Sequence, residues 1–211
     1  MSVRRLAQEQ PESFVFSAEL EKIAQDLIAK YPEGREASAV IPLLWETQKE
    51  ANGWLPELAL RAVADRLGMA HIRVLEVATF YTMFNLEPVG KYFVQVCGTT
   101  PCMVRGSDDI RSVCQRKIGA ERHVTEDGVF SWLEVECLGA CTNAPMVQIN
   151  DDYFEDLTAE NFEKLLNDLA AGNPVKVGPQ NSRTGAEPIS GQAALIDPEI
   201  YADRSKPAPG E

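Results

Sequence analysis

The chain has 211 residues and a net charge of −12, from 20 lysines and arginines against 32 aspartates and glutamates. A surface this acidic repels nucleic acid and anionic membranes, so neither is expected as a direct partner. Apolar stretches are too short and too often interrupted by charge for membrane insertion. Residues 1–9 have no apolar core of a secretory signal and already contain an acid, unlike a transit peptide. These features predict a cytoplasmic protein.

After an unassigned segment, 1–16, apolar residues at helical spacing predict a helical bundle over 17–87. Four helices are predicted: one from its cap at Ser17 to Tyr31–Gly34, and others over about Ser38 to Asn52, Pro56 to Gly68 and His71 to Phe84. The inward positions of the second are Ile41, Leu44 and Trp45, and those of the fourth are Val74, Val77, Ala78, Tyr81 and Phe84.

A different pattern occupies 88–177, with alternation typical of strands and two further helices. The predicted order is a strand over 92–97, a helix capped by Ser107, a hairpin turning at 126–128 with its second strand over 129–136, strands on both sides of 150–152, and a helix from Thr158 to Gly172. This is the order of a thioredoxin-like domain, so the chain is predicted to belong to the α+β class.

The last segment, 178–211, contains five prolines and no periodicity, and it cannot form a core of its own. It is expected to be either disordered or an extended arm that lies on a partner. Four apolar residues would be its anchors: Leu195, Ile196, Ile200 and Tyr201.

Cysteine spacing carries the functional prediction. Cys97 and Cys102 enclose four residues, and Cys137 and Cys141 enclose three. Four thiolates in two close pairs are what a [2Fe–2S] cluster requires, because each iron takes two protein sulfurs. The backbone N–H groups of 98–100 and 138–140 are expected to face the sulfurs, and Gly139 allows a close backbone approach.

Three other kinds of site also use cysteine or histidine. A zinc site usually has at least one C-x2-C knuckle, and both spacings here are longer, which favours iron–sulfur without removing zinc. A dithiol redox pair lacks its C-x-x-C motif. A Rieske centre needs paired histidine ligands, whereas His71 and His123 are the only histidines and neither lies beside a cysteine.

The fifth cysteine, Cys114, lies on the apolar face of the helix predicted after Ser107, together with Ile110 and Val113, and is interpreted as a buried core thiol. Acidic residues near the cysteines, Glu134, Glu136 and Asp156, are interpreted as a solvated surface. No nucleotide-binding or catalytic motif is present in the sequence, so no bond chemistry is expected from this chain alone.

One stretch, Leu60 to Val77, has the spacing of a DNA-binding helix-turn-helix, with Gly68 at its turn. Its second helix offers mainly apolar side chains and Arg73 as its only fixed cation. Such a helix is typical of a core or an interface, so DNA binding is not predicted.

The cysteine pattern, with Pro145 four residues after Cys141, resembles the thioredoxin-like [2Fe–2S] subunit of NADH:quinone oxidoreductase, respiratory complex I. The segment 77–84, VATFYTMF, is also similar to that family, and the resemblance covers roughly 17–172. It implies one [2Fe–2S] cluster, with Cys97 and Cys102 on one iron and Cys137 and Cys141 on the other.

The resemblance further implies one-electron transfer next to a subunit that carries FMN and binds NADH, in a complex peripheral to the inner membrane. Related subunits serve NAD-linked hydrogenases and formate dehydrogenases, so either of these is an alternative host. A free ferredoxin-like carrier is a third possibility, although it would need neither a helical bundle nor an arm.

Overall fold

The structure, a computed structural model, describes residues 4–188, 190 and 196. Its described residues form two compact units, one of 4–94 with 118–133 and the other of 95–117 with the residues from 134 onward. The boundaries predicted at 17, 88 and 178 concern independent folding, and they stay a prediction.

The first unit contains the predicted helices. They are α1 (Ala18–Ile28), α2 (Val40–Glu50), α3 (Glu57–Leu67) and α4 (His71–Phe80). The Ser17 hydroxyl accepts the Leu20 N–H at 3.1 Å and caps α1, as predicted. Gly68 ends α3 in the left-handed conformation, with φ +61°, which glycine adopts without strain. Pro56 is the N-cap of α3 and not a residue of its first turn.

The inward face predicted for α2 was partly wrong. A short 3-10 turn, Glu36–Ala39, precedes the helix, which begins at Val40. Its buried face consists of Val40, Leu43, Leu44, Thr47 and Gln48. Ile41 and Trp45 are only half-buried at the edges of that face. The burial of two polar residues, which apolar spacing does not predict, moves the centre of the face.

Helix α4 ends at Phe80, four residues before the predicted end, because distant side chains bind the backbone that follows. The Arg4 guanidinium donates to the carbonyls of Ala78 at 3.2 Å and Tyr81 at 2.8 Å, and also to that of Phe84. Tyr81 is extended, with ψ 115°. The predicted inward stripe of α4 therefore breaks, and Tyr81 is 39 % exposed.

The second unit is built on a sheet whose first two strands begin in the other unit. Its helices and strands are β1 (Tyr92–Cys97), α5 (Thr100–Val104), α6 (Ser107–Lys117), β2 (Phe130–Val135), β3 (Val147–Ile149), β4 (Asp152–Glu155), α7 (Ala159–Ala171) and β5 (Gly178–Pro179). The strand order is β2-β1-β3-β4-β5. Strands β3 and β4 are antiparallel, whereas β4 and β5 are parallel. The predicted α+β class and the thioredoxin-like order are confirmed.

Helix α7 matches its prediction in full. The Thr158 hydroxyl accepts the Asn161 N–H at 3.2 Å, and the Asn161 side chain accepts the Thr158 N–H at 2.7 Å. This reciprocal capping box begins the helix, and Gly172 ends it at φ 72°. The predicted apolar face is buried: Phe162, Leu165, Leu166 and Leu169.

Three local predictions differ from the structure. Helix α5, between the first two cysteines, was not predicted, because five residues are too few for a periodic pattern. Ser107 is the first residue of α6, and its buried hydroxyl has no hydrogen-bond partner in the described part of the chain. The hairpin turn at 126–128 forms, but the chain before it is not a regular strand.

The prediction for the start of the arm was also wrong. Strand β5 pairs with β4 through Phe154 and Gly178, and the Gln180 N–H donates to the Glu155 carbonyl at 2.9 Å. The arm therefore begins by packing on its own unit. Of the predicted anchors, Ile196 is 67 % exposed, and Leu195, Ile200 and Tyr201 lie outside the described residues. No helix within the described ranges is long and apolar enough to cross a bilayer.

Candidate metal centre

The first cysteine pair is buried. Cys97 ends β1 and Cys102 lies in α5, and they are 2 % and 1 % exposed. Their two thiols are hydrogen-bonded to each other. An apolar shell surrounds them, formed by Ala144 and Met146 with Leu138, Ala140 and Tyr153 partly buried against it. This shell keeps water from half of the predicted site.

The second pair is exposed. Cys137 follows β2 after one residue, and Cys141 begins a 3-10 turn that extends to Asn143. The two sulfurs lie 3.8 Å apart. Between them Gly139 has φ +86°, so the predicted need for a glycine here is a conformational one.

Backbone donors favour the thiolate form of Cys97. Burial alone raises the pKa of this thiol, but the N–H groups of Thr99 and Leu138, with the side chains of Cys102 and Thr99, outweigh burial, and the pKa is lowered. One donor comes from each cysteine loop, as the sequence predicts. These hydrogen bonds stabilise a sulfur that carries negative charge.

The other sulfurs resist ionisation because neighbouring sulfurs carry like charge. Burial and then Cys97 raise the pKa of Cys102 to about 12, although the Met146 N–H opposes this. The pKa of Cys141 is raised by Cys137, by burial and by Cys97. The thiols of both pairs therefore act on one another electrostatically. A bound cation would remove this repulsion, since metal coordination deprotonates thiols.

The donor set fits a [2Fe–2S] cluster. Across the described residues, no three His, Cys, Asp or Glu side chains are grouped as ligands of one metal ion. The thiols form two pairs instead, the arrangement expected where each of two irons takes two sulfurs. The structure thus brings together Cys97 with Cys102 and Cys137 with Cys141, as predicted; their role as ligands remains our proposal.

Gly98 has a role that its flexibility did not predict. A Cβ atom at this position would overlap the Glu134 carboxylate. That carboxylate in turn accepts a hydrogen bond from Arg111 at 2.6 Å. The chain next to Cys97 is therefore covered by an ion pair, and the absence of a side chain at Gly98 permits this.

Asp156 was wrongly assigned to a solvated surface. Its side chain is 6 % exposed and lies 3.6 Å from Arg183. It also accepts a hydrogen bond from Asn143 at 3.1 Å. Arg183 and Asn143 are supporting residues of the Cys141 turn that the sequence did not reveal, because neither stands in a motif.

The remaining predictions concern residues away from the pairs. Cys114 is fully buried on α6, and burial raises the pKa of its thiol to about 12, which confirms its interpretation as a core residue. In α4, the Arg73 guanidinium is paired with Glu76 at 2.8 Å. Val74 is buried, so this helix contributes to a core.

A thioredoxin-like order that carries two cysteine pairs defines the class of iron–sulfur electron carriers. Residues 8–170 match the family described as thioredoxin-like [2Fe-2S] ferredoxin. This match covers more than half of the chain, and the chain belongs to that family. Its cofactor is therefore one [2Fe–2S] cluster.

Two relatives are similar over most of their length. An NADH-quinone oxidoreductase E-type chain of Rhizobium meliloti (strain 1021) is 55% identical over 210 residues, 97% of this chain and 76% of the relative. The corresponding NADH-quinone oxidoreductase E-type chain of Rickettsia bellii (strain RML369-C) is 53% identical over 158 residues, 74% of this chain and 95% of the relative.

A solved structure is similar in fold. It is an NAD+-reducing [NiFe]-hydrogenase in the H2-reduced state, with a TM-score of 0.54 and 20% sequence identity. The likeness covers 62% of this chain and 22% of the hydrogenase chain. At this identity it supports the thioredoxin-like fold alone.

Proposed function

We propose that this chain transfers single electrons through a [2Fe–2S] cluster, as a subunit of an NADH:quinone oxidoreductase. The observation that carries the proposal is the 55% identity, over 97% of this chain, to a relative named as a subunit of such an enzyme. The two cysteine pairs at the same site give that relationship a chemical basis. When bound, the cluster accepts and donates one electron.

In this proposal Cys97 and Cys102 hold one iron, and Cys137 and Cys141 hold the other. The N–H groups of Thr99 and Leu138 hold negative charge on the Cys97 sulfur. The apolar shell around Cys97 and Cys102 excludes water on one side. The exposed pair leaves the other side open, where a second redox protein can approach.

The proposed partner is a flavoprotein subunit that binds NADH and carries FMN. A one-electron carrier cannot accept a hydride's electron pair directly, so a flavin must divide that pair. No dinucleotide fingerprint occurs in this sequence, and both cofactors are therefore assigned to the partner. The assembled complex is proposed to lie at the cytoplasmic face of the inner membrane without insertion of this chain.

Co-purification from the native host tests the proposal. We expect a tagged chain, isolated under mild conditions, to bring a flavoprotein with FMN, and NADH to reduce its cluster in the quinone reductase complex. A nickel-containing partner would instead assign the chain to a hydrogenase. A monomer that holds its cluster and binds no flavoprotein would make it a free carrier.

A matched control strengthens this test. The Cys141→Ser chain should still bring the flavoprotein if the partner binds the fold, but NADH should no longer reduce an intact cluster. Equal reduction in both chains would contradict the proposed role of Cys141.

A further inference from the structure

The first residues after β5 are held against the turn that carries Cys141. Arg183 donates through Nη1 to the Thr142 carbonyl at 3.0 Å. Its side chain is only 11% exposed, and its Nε lies 3.6 Å from Asp156 Oδ2. In the described residues this Nε has no hydrogen-bond partner, so the charge of Asp156 is its main compensation.

A second side chain joins the same three segments. Asn143, 2% exposed, donates through Nδ2 to Asp156 at 3.1 Å and to the Gly185 carbonyl at 2.8 Å. The Asp156 N–H donates to the Asn143 carbonyl at 2.7 Å. The turn after Cys141 is therefore bound on one side by the end of β4 and on the other by the arm.

Cys141 needs such support more than the cysteines of the first pair do. Cys97 and Cys102 lie in β1 and α5, whereas Cys141 is exposed at the start of a three-residue turn. Without external contacts, a turn this short does not fix its sulfur. Ligand residues generally require outer partners that hold their orientation.

A buried ion pair is a poor source of stability, because removal of two charges from water offsets most of their attraction. Its benefit is geometric, since both charges must stay in place once they are buried. Here each charged group also binds the backbone or side chain of 142–143. The pair is thus coupled to the Cys141 turn and not only to the arm.

We propose that Arg183, with Asp156, is a positioning residue that fixes the Cys141 turn and thereby sets the retention and electronic structure of the cluster. This inference rests on the proposed ligation by Cys141. It gives the described start of the arm a role in the redox site of its own chain.

The test compares Arg183→Gln with Arg183→Lys and with the matched control Arg116→Gln, all in the full chain. Arg116 is paired with Glu163 at 2.5 Å, on α6 and α7 of the same unit. We expect Arg183→Gln to lose its cluster to a chelator roughly 10-fold faster than wild type and to change the EPR spectrum of the reduced state. Arg183→Lys should recover part of both properties, and Arg116→Gln should match wild type.

Equal retention and identical EPR spectra in Arg183→Gln and Arg116→Gln would overturn the proposal. Thermal unfolding followed by circular dichroism separates a local effect from loss of the fold. Should Arg183→Gln fail to fold, Asp156→Asn replaces it, since the amide keeps an oxygen for Asn143 while removing the charge. A wild-type spectrum and retention in Asp156→Asn would then overturn the proposal.

The Cys141→Ser chain separates failure of this inference from failure of the ligand assignment. If that chain keeps a normal cluster, the ligand assignment is wrong and the inference falls with it. If it loses the cluster while Arg183→Gln behaves as wild type, only the positioning role is wrong.

Discussion

The five cysteine sulfurs differ in what surrounds them, and that difference assigns their roles. Cys114 lies on the buried face of α6, where burial raises the pKa of its thiol to about 12. A thiol with this pKa stays protonated at neutral pH and is a poor metal ligand. Cys97, although buried, has a lowered pKa because backbone N–H groups point at its sulfur. Burial alone therefore does not distinguish a core thiol from a ligand.

Single substitutions test this assignment. Serine in place of Cys97, Cys102, Cys137 or Cys141 should remove or distort the cluster, because each sulfur holds one coordination position. Iron and acid-labile sulfide analysis should give two of each in the wild type.

The Cys114→Ser chain is the control, since it should keep the full cluster content and the wild-type EPR signal. Normal cluster content in any of the other four variants would contradict the ligand set. One equivalent of zinc in the wild type would contradict the cluster itself.

The four site cysteines could be identified from the sequence, because their spacing is local. Donors in both cysteine loops could also be anticipated, of which Thr99 and Leu138 are found. Met146, whose N–H faces Cys102, could not be found in this way, and neither could Arg183 or Asn143. Arg183 and Asn143 reach backbone groups 41 and 42 positions away, and an isolated polar residue in a sequence does not reveal its partner.

At the scale of elements, the accuracy of the predictions follows how local their signals are. Helix α7 has its cap, its apolar face and its terminal glycine within a single short stretch, Thr158 to Gly172, and all were predicted. The end of α4 depends on Arg4 and on Gln48, whose side chain accepts the Asn85 N–H at 2.6 Å. Apolar periodicity continues past Phe80 and so extends the predicted helix too far.

Arg4 should therefore be important for the stability of the first unit. Burial, followed by the charge of Arg122, lowers the pKa of its guanidinium, and the carbonyls after α4 provide its hydrogen bonds. The Arg4→Gln change should lower the free energy of unfolding by about 2 kcal/mol, since bonds to charged groups contribute about 1.5–3 kcal/mol each. Urea denaturation of the full chain measures this loss.

The neighbouring residue gives a matched control. Arg5 is exposed, and Arg5→Gln should change stability by less than about 0.5 kcal/mol. Equal effects at the two positions would show that Arg4 does not support the end of α4.

For the whole molecule, charge is the dominant property. A net charge of −12 and four thiolates both oppose the addition of an electron. The N–H groups that face Cys97 and Cys102 act in the opposite direction. We weigh the charges more heavily because they are full charges and the donors are dipoles.

The cluster should accordingly have a low reduction potential, below about −150 mV, the lower end of the range for Rieske centres. An EPR-monitored redox titration measures it. Glu136→Gln, which removes a negative charge at an exposed position beside Cys137, should raise the potential. A positive potential in the wild type, or a lower one in Glu136→Gln, would contradict this prediction.

The overall class and the order of elements were predictable because strand alternation, helix caps and the cysteine pairs all recur at short range. The course of the arm was not. Strand β5 consists of Gly178 and Pro179, two residues that are rare in strands and become one only through pairing with β4. Tertiary pairing of this kind leaves no periodic trace in a sequence.

The unequal exposure of the two cysteine pairs has a practical consequence. In molecules that have lost their iron, Cys137 and Cys141 face solvent while the other three thiols are buried. An alkylating reagent should mark those two thiols first, more slowly at Cys141, whose raised pKa leaves less reactive thiolate. In intact molecules the same sulfurs are engaged and should resist the reagent. Mass spectrometry of the labelled chain would then count the empty fraction of a preparation without any measurement of colour or spin.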